Sequence, residues 1–268
     1  MSANKPLYNS TLRTFFRTFF GLIAVGLLAA CVTTENGAQK PKSGSLAAKE
    51  KQATVHTKLA RGYLQQKQYS TAKASLERAL EIYPQHSDSN YVMALLMNRL
   101  EQYEDAEKFY ARAVKYDREN SAAAHDFGVF LCQLGREEKA VGYFEIAVSN
   151  PLFSRAELSY MRAGECLSKI NDARAEQFLK KALSLNPALR PALYRLASLK
   201  HDQASYMSAR AYIERYFAIT KPQPAALLLA YKIELSLNAQ DVASQYKRTL
   251  LNDFPGSKEA AAMRSNRE

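Results

Sequence analysis

The sequence predicts an all-α fold, a right-handed superhelical solenoid of about six helix-turn-helix repeats. Three observations predict it. Ala, Leu, Glu, Lys, Arg and Gln fill long stretches, and these are good helix formers. With 10 Gly and 9 Pro in 268 residues, there is little turn material for an all-β fold. From about residue 53 onward, residues of one type return with a period near 34.

Before the repeats lies a processing segment. Residues 1–30 carry Lys5, Arg13 and Arg17 and no acid. An uncharged apolar run follows from Phe19 to Ala30, 12 residues long. A bilayer span needs about 20, so the run has the length of a signal-peptide core. It ends in Leu28-Ala29-Ala30-Cys31, which resembles a bacterial lipobox. Small residues let the backbone enter a peptidase site, and the Cys31 thiol is the nucleophile that takes a diacylglycerol chain. Residues 1–30 are thus expected to be removed, leaving an acylated Cys31. Val32 follows the cysteine where Asp would favour inner-membrane retention, so an outer-membrane anchor on the periplasmic face is expected. Residues 31–52 are polar and read as the lipidated N-terminus and a flexible tether.

Residues 53–257 form the expected repeat domain. A small residue recurs in each first helix at Ala60, Ala94, Gly128, Gly164 and Ala197, with Tyr231 filling the sixth position less well. Each second helix has an alanine: Ala72, Ala106, Ala140, Ala175, Ala209 and Ala243, spaced 34, 34, 35, 34 and 34 apart. Four residues after each stands Leu76, Tyr110, Phe144, Leu179, Ile213 or Lys247. Pro84, Pro187 and Pro255 close repeats one, four and six, and Pro151 comes near the end of repeat three. Helices approach closely only where a side chain is small, and proline cannot continue a helix. This is the signature of the tetratricopeptide repeat (TPR).

Residues 150–154 predict a longer connection into repeat four, because Gly128 and Gly164 are 36 apart. Repeats five and six are degenerate, with Lys200, Glu234 and Lys247 at positions usually apolar. The last repeat is expected to act as a polar cap, which a solenoid needs for solubility. Residues 258–268 read as a short frayed tail.

In TPR arrays the first helices line a concave face, and one face recurs at i, i+4 and i+7. That spacing selects Thr57, Arg61 and Leu64, then Tyr91, Leu95 and Asn98, then His125, Val129 and Cys132. Such a mixture of apolar and polar side chains could hold an extended or helical peptide. Cys132 and Cys166 lie 34 residues apart on the first helices of adjacent repeats. They are either a disulfide, which an oxidising compartment permits, or two buried thiols packed as small apolar groups.

No enzyme signature accompanies the repeats. His56, His86, His125 and His201 make no H-E-x-x-H zinc motif, and neither a phosphate loop nor a G-x-S-x-G elbow is present. Neither catalysis nor a cofactor is expected. The formal charge is +11, or +8 once the three leader cations are removed. The basic residues are spread over every repeat, which argues for a solvated surface and against nucleic-acid binding.

Three segments carry a more specific likeness. They are Ala122 to Arg136 (AAAHDFGVFLCQLGR), Asn150-Pro151-Leu152-Phe153 with Ala163-Gly164-Glu165-Cys166, and Asp253 to Ala260 (DFPGSKEA). They resemble the PilF/PilW family of type IV pilus biogenesis lipoproteins. The resemblance covers the lipobox and all six repeats. It implies an outer-membrane lipoprotein, monomeric when free, acting as a pilotin. Such a protein binds pilus secretin subunits and promotes their localisation and multimerisation. The chain departs from the family pattern at His125-Asp126-Phe127, where His-Asn-Asn is usual, which touches the expected groove. A TPR scaffold lipoprotein of another envelope complex, such as β-barrel assembly or a protease adaptor, shares the anchor and the fold.

Overall fold

The computed structural model describes residues 45–265. The leader, Cys31, the tether up to residue 44 and the last three residues lie outside the described residues. Residues 44–268 form a compact unit whose core lies within the described span.

Thirteen α-helices and no strand occur among the described residues. Twelve of them pair into six antiparallel hairpins. These are α1 (Leu46–Gln65) with α2 (Tyr69–Ile82), α3 (Ser87–Arg99) with α4 (Tyr103–Tyr116), and α5 (Ser121–Gln133) with α6 (Glu137–Ser149). Then follow α7 (Ala156–Ser168) with α8 (Arg174–Leu185), α9 (Arg190–Asp202) with α10 (Tyr206–Ile219), and α11 (Pro224–Ser236) with α12 (Gln240–Asp253). The last helix is α13 (Lys258–Ser265).

The recurring small residues set the packing. Ala60, Ala94 and Ala197 are fully buried, as are Ala72, Ala106, Ala140, Ala175 and Ala209. The two glycines are under the tightest constraint. A Cβ on Gly128 would stand 2.8 Å from the Phe144 ring. On Gly164 it would stand 2.6 Å from Leu179 Cγ and 2.9 Å from the Ala175 carbonyl oxygen. Leu76, Tyr110, Phe144, Leu179 and Ile213 are themselves buried one turn beyond the alanines. Each contributes about 1.5–3 kcal/mol of hydrophobic stabilisation.

Within each hairpin the turn is a Schellman motif. One residue of each turn is left-handed, Lys67, Glu101, Gly135, Asn171, Ala204 and Asn238, with φ from 55° to 70°; it directly follows the C-cap except after α7, where the C-cap is Lys169. In the first turn Gln68 N donates to Tyr63 O at 2.9 Å and Lys67 N to Leu64 O at 3.1 Å. The same pair of bonds closes the other five. The connection after α6 runs through residues 150–155, as the inserted residues in repeat four predict.

Two boundaries differ from the sequence expectation. The tether was expected to reach residue 52, yet α1 begins at Leu46, with the Ser45 side chain capping Ala48 N at 3.3 Å. Ala47, Ala48, Lys49 and Glu50 are strong helix formers, so an existing helix propagates back through them without burial. The tail from 258 was expected to fray, yet residues 258–265 form α13. Ser257 caps it at Ala260 N (3.1 Å), and Ala260 and Met263 bury against Leu227 and Leu250.

Two of the three degenerate positions of the last repeats are satisfied in pairs. Glu234 is buried and holds Arg210, and Lys200 reaches Glu176 at 2.7 Å. Tyr231, too large for the sixth small position, is half-buried and packs with α13's apolar cluster.

Candidate binding groove

The odd-numbered helices line the candidate groove, and the structure divides the sequence-selected residues into two sets. The first set is turned into contacts between successive odd helices. Thr57 is fully buried, with Oγ1 2.6 Å from Ser89 Oγ on α3. Ser89 Oγ also meets His86 Nδ1 at 2.6 Å. Tyr91 is buried, and its hydroxyl donates to Asp126 Oδ2 on α5 at 2.5 Å. His125 is buried, with Nδ1 2.7 Å from Ser159 Oγ on α7. These three side chains are therefore ties between repeats and not free partner contacts. The physical reason is that a buried polar group needs a partner, and each finds one on the next helix.

The unusual Asp126-Phe127 pair has a role in this arrangement. Asp126 is the acceptor for Tyr91, and Phe127 is buried, with ring centroids 5.3 Å from Tyr110 and 4.2 Å from Tyr143. Burial, then Asp126, pushes the Tyr91 phenol well above its usual range, so it stays a donor. Burial also lowers the His125 pKa, against the opposing pull of Asp126 and with the help of Arg155 and Arg162. His86 is lowered by burial, opposed by Asp88 and Glu50.

The second set does line the groove. Arg61, Leu64, Leu95 and Asn98 surround a cavity of about 320 Å³ between α1 and α3, together with Gln65, Val92 and Arg99. Arg61 is held there by an ion pair with Asp88 and by stacking 5.4 Å over the Tyr91 ring. Val129 lines a smaller cavity of about 110 Å³ between α5 and α7, with Gln133, Arg162 and Lys169. Cys132 sits in the wall of this cavity and is bridged to Cys166, with Cα atoms 5.9 Å apart. Of the two readings open for these cysteines, the structure takes the disulfide, joining α5 to α7.

A third cavity of about 430 Å³ lies between α7 and α9, lined by Glu165, Lys169, Arg195 and Asp202 among others. Glu165 accepts from Arg162 at 2.8 Å and also pairs with Arg195. The groove thus changes along its length. Leucines, amides, Arg99 and the Arg61–Asp88 pair stand at one end, and a network of Arg162, Glu165 and Arg195 at the other. Sequence reasoning missed Gln65, Arg99, Gln133, Lys169 and Asp202, which follow the i+7 positions by one residue. A stripe one residue wider would have found them. Such a groove can hold a peptide by apolar contacts and amide hydrogen bonds.

The tetratricopeptide repeat family matches residues 63–127. The chain is 27% identical over 239 residues to the type IV pilus assembly protein PilF of Pseudomonas aeruginosa, covering 89% of this chain and 93% of that protein. It is 26% identical over 187 residues to an uncharacterised protein of Haemophilus influenzae, covering 62% of this chain and 98% of that one. Among solved structures it is similar to PilW, described as a widely conserved type IV pilus biogenesis factor. The TM-score is 0.68 at 27% identity, covering 79% of this chain and 97% of that one. Pseudomonas aeruginosa PilF aligns with a TM-score of 0.69 at 24% identity, covering 82% and 99%, which bears on the fold alone.

Proposed function

We propose that this chain, a TPR protein of the PilF/PilW kind, acts in type IV pilus assembly as an outer-membrane pilotin. The observation that carries the reading is the extent of the match to PilF. It runs through 93% of that protein, so the likeness is to a whole architecture and not to one repeat. The groove supplies the means. Leu64, Leu95 and Asn98 offer a secretin subunit apolar anchors and an amide between α1 and α3. Acyl chains on Cys31 commit the protein to the outer-membrane route, and subunits carried with it are concentrated where rings form. Tethering of this kind raises effective concentration without new contacts.

The test is a strain lacking the gene, with membranes separated by density and the pilus secretin followed with and without heat dissociation of its multimers. The expected result is secretin held as monomer or in the inner membrane, rescued by wild type and not by Cys31→Ala. Normal multimers in the outer membrane would overturn the reading. Intact mass of the membrane-extracted protein tests the acylation itself, and an unmodified Cys31 would refute it.

A further inference from the structure

One edge of the solenoid, where even helices end and odd helices begin, carries a repeating pair of side chains. Four of the even helices end on an apolar residue with a cation four positions before it. The pairs are Arg78 and Ile82, Arg112 and Tyr116, Lys181 and Leu185, and Arg215 and Ile219. At i and i+4 the two side chains share a helix face. Leu185 and Ile219 are 56% and 44% exposed. In repeat three the pattern passes to the inserted loop, where Leu152 is 88% exposed. That loop is tied down around it. Leu152 N donates to Asn150 Oδ1 at 2.9 Å, and the Phe153 ring packs 6.2 Å from His125. A leucine held out on a braced loop satisfies no contact within the fold.

The cations beside these tips are lightly engaged within the fold: Arg78 pairs with Glu81 at 2.9 Å, and Arg215 Nη2 donates to the Pro187 carbonyl oxygen at 3.4 Å. Among the described residues, Arg112, Lys181 and Arg215 have no carboxylate at ion-pair distance. They lie instead over the rings of Phe109, Tyr160 and Tyr212 at 5.4, 5.4 and 5.7 Å. The three connections of this stretch, residues 150–155, 186–189 and 220–223, contain no acid and add Arg155 and Lys221. Cations interleaved with exposed aliphatic tips in repeats three to five match the headgroup and acyl boundary of an anionic bilayer. No described helix is long and apolar enough to cross a membrane, so such a contact is made at the surface.

The route of the chain fits the same edge. Odd helices start there, so α1 enters from it, and Cys31 precedes Ser45 by 14 residues. That stretch spans at most about 50 Å. This second support rests on the acylation of Cys31 proposed above; the charge and apolar pattern does not. We infer that the loop edge of repeats three to five, with Leu152, Leu185 and Ile219 among Lys181, Arg215 and Lys221, docks on an anionic lipid surface. The groove then faces away from the lipid edge and stays open to a protein partner.

The test uses the compact unit of residues 44–268, which carries its own core and no acyl chain. It is sedimented with vesicles of phosphatidylcholine alone and with roughly a third phosphatidylglycerol. The expected result is binding to the anionic vesicles only, reduced by added salt. Lys181→Glu with Arg215→Glu should weaken it by about 30-fold or more. Leu152→Asp should weaken it less, and Arg99→Glu in the groove should leave it unchanged. Melting by circular dichroism identifies any variant that has lost its fold. No binding, equal binding to neutral vesicles, or a charge-reversed protein that binds as wild type would overturn the inference. So would a loss on Arg99→Glu equal to that of the edge variant. Retention by a polyanion without binding to vesicles would point to an acidic macromolecule and also overturn it. Because the protein used has no lipid, the outcome is independent of whether Cys31 is acylated.

Discussion

Arg210 on α10 and Glu234 on α11 form a two-point ion pair, with Nε donating to Oε1 at 2.8 Å and Nη2 bonded to Oε2. The Glu234 side chain is only 3% exposed, whereas Arg210 is 28% exposed. A buried carboxylate with its partner removed is strongly destabilising. Arg210→Ala should therefore cost about 3–5 kcal/mol in urea unfolding. Arg210→Met with Glu234→Leu should recover most of that loss, since an apolar pair of similar volume carries no desolvation cost. Equal destabilisation by the single and the double variant would show that packing, not charge, is at stake.

The bridge between Cys132 and Cys166 closes a loop of 34 residues in the middle of the array. Constraint of the unfolded chain by a loop of that size is worth about 3–4 kcal/mol. Reductant should lower the urea midpoint by the corresponding amount, and a Cys132→Ser, Cys166→Ser protein should no longer respond to it. A midpoint indifferent to reductant would mean that the bridge does not form.

Two histidines make stability fall on the acid side. His86 and His125 have folded pKa values below the usual 6.5 because burial disfavours their charged forms. The folded state thus binds fewer protons than the unfolded one. Their contribution is complete above about pH 6.5 and is lost as pH falls through the lowered values. The unfolding free energy from urea titrations should drop from pH 6.5 towards 5, with a limiting slope of about 1.4 kcal/mol per pH unit for each proton. His125→Gln should flatten that slope; an unchanged slope would assign it to other groups.

Groove residues and tie residues should separate in a pair of measurements. Asn98→Ala should weaken capture of a soluble secretin fragment by about tenfold, near 1.4 kcal/mol, with the melting temperature unchanged, and Leu95→Asp should weaken it at least as much while also lowering the melting temperature, since Leu95 packs against the core. Tyr91→Phe should instead lower stability by about 1–3 kcal/mol, because Asp126 loses its donor. If Leu95→Asp binds as wild type, the partner does not use this end of the groove.

The frame of the fold was legible because it is written six times. The alanines of the second helices recur at nearly constant spacing, and each is buried where that spacing places it. The groove was only partly legible. Thr57 and Arg61 are one helical turn apart and look alike as members of a stripe, yet one is sealed against α3 and the other faces the cavity. What separates them is a partner 32 residues away, Ser89, and no local pattern reveals it. The same holds for Tyr91 with Asp126 and His125 with Ser159, at separations of 35 and 34. The last helix was missed because it is only eight residues long and buries just two side chains, Ala260 and Met263, too few to make a readable stripe.

The six hairpin turns share one left-handed backbone position, and glycine occupies only one of them. A Cβ in that conformation costs on the order of 1 kcal/mol, with asparagine penalised less. Lys67, Glu101 and Ala204 each carry that cost in a turn whose shape is already set by its two closing bonds. The turn geometry therefore tolerates a lysine, a glutamate or an alanine there at some cost in stability. The repeat holds an untapped margin, and glycine at those three turns is the simplest route to a more heat-resistant version of this protein.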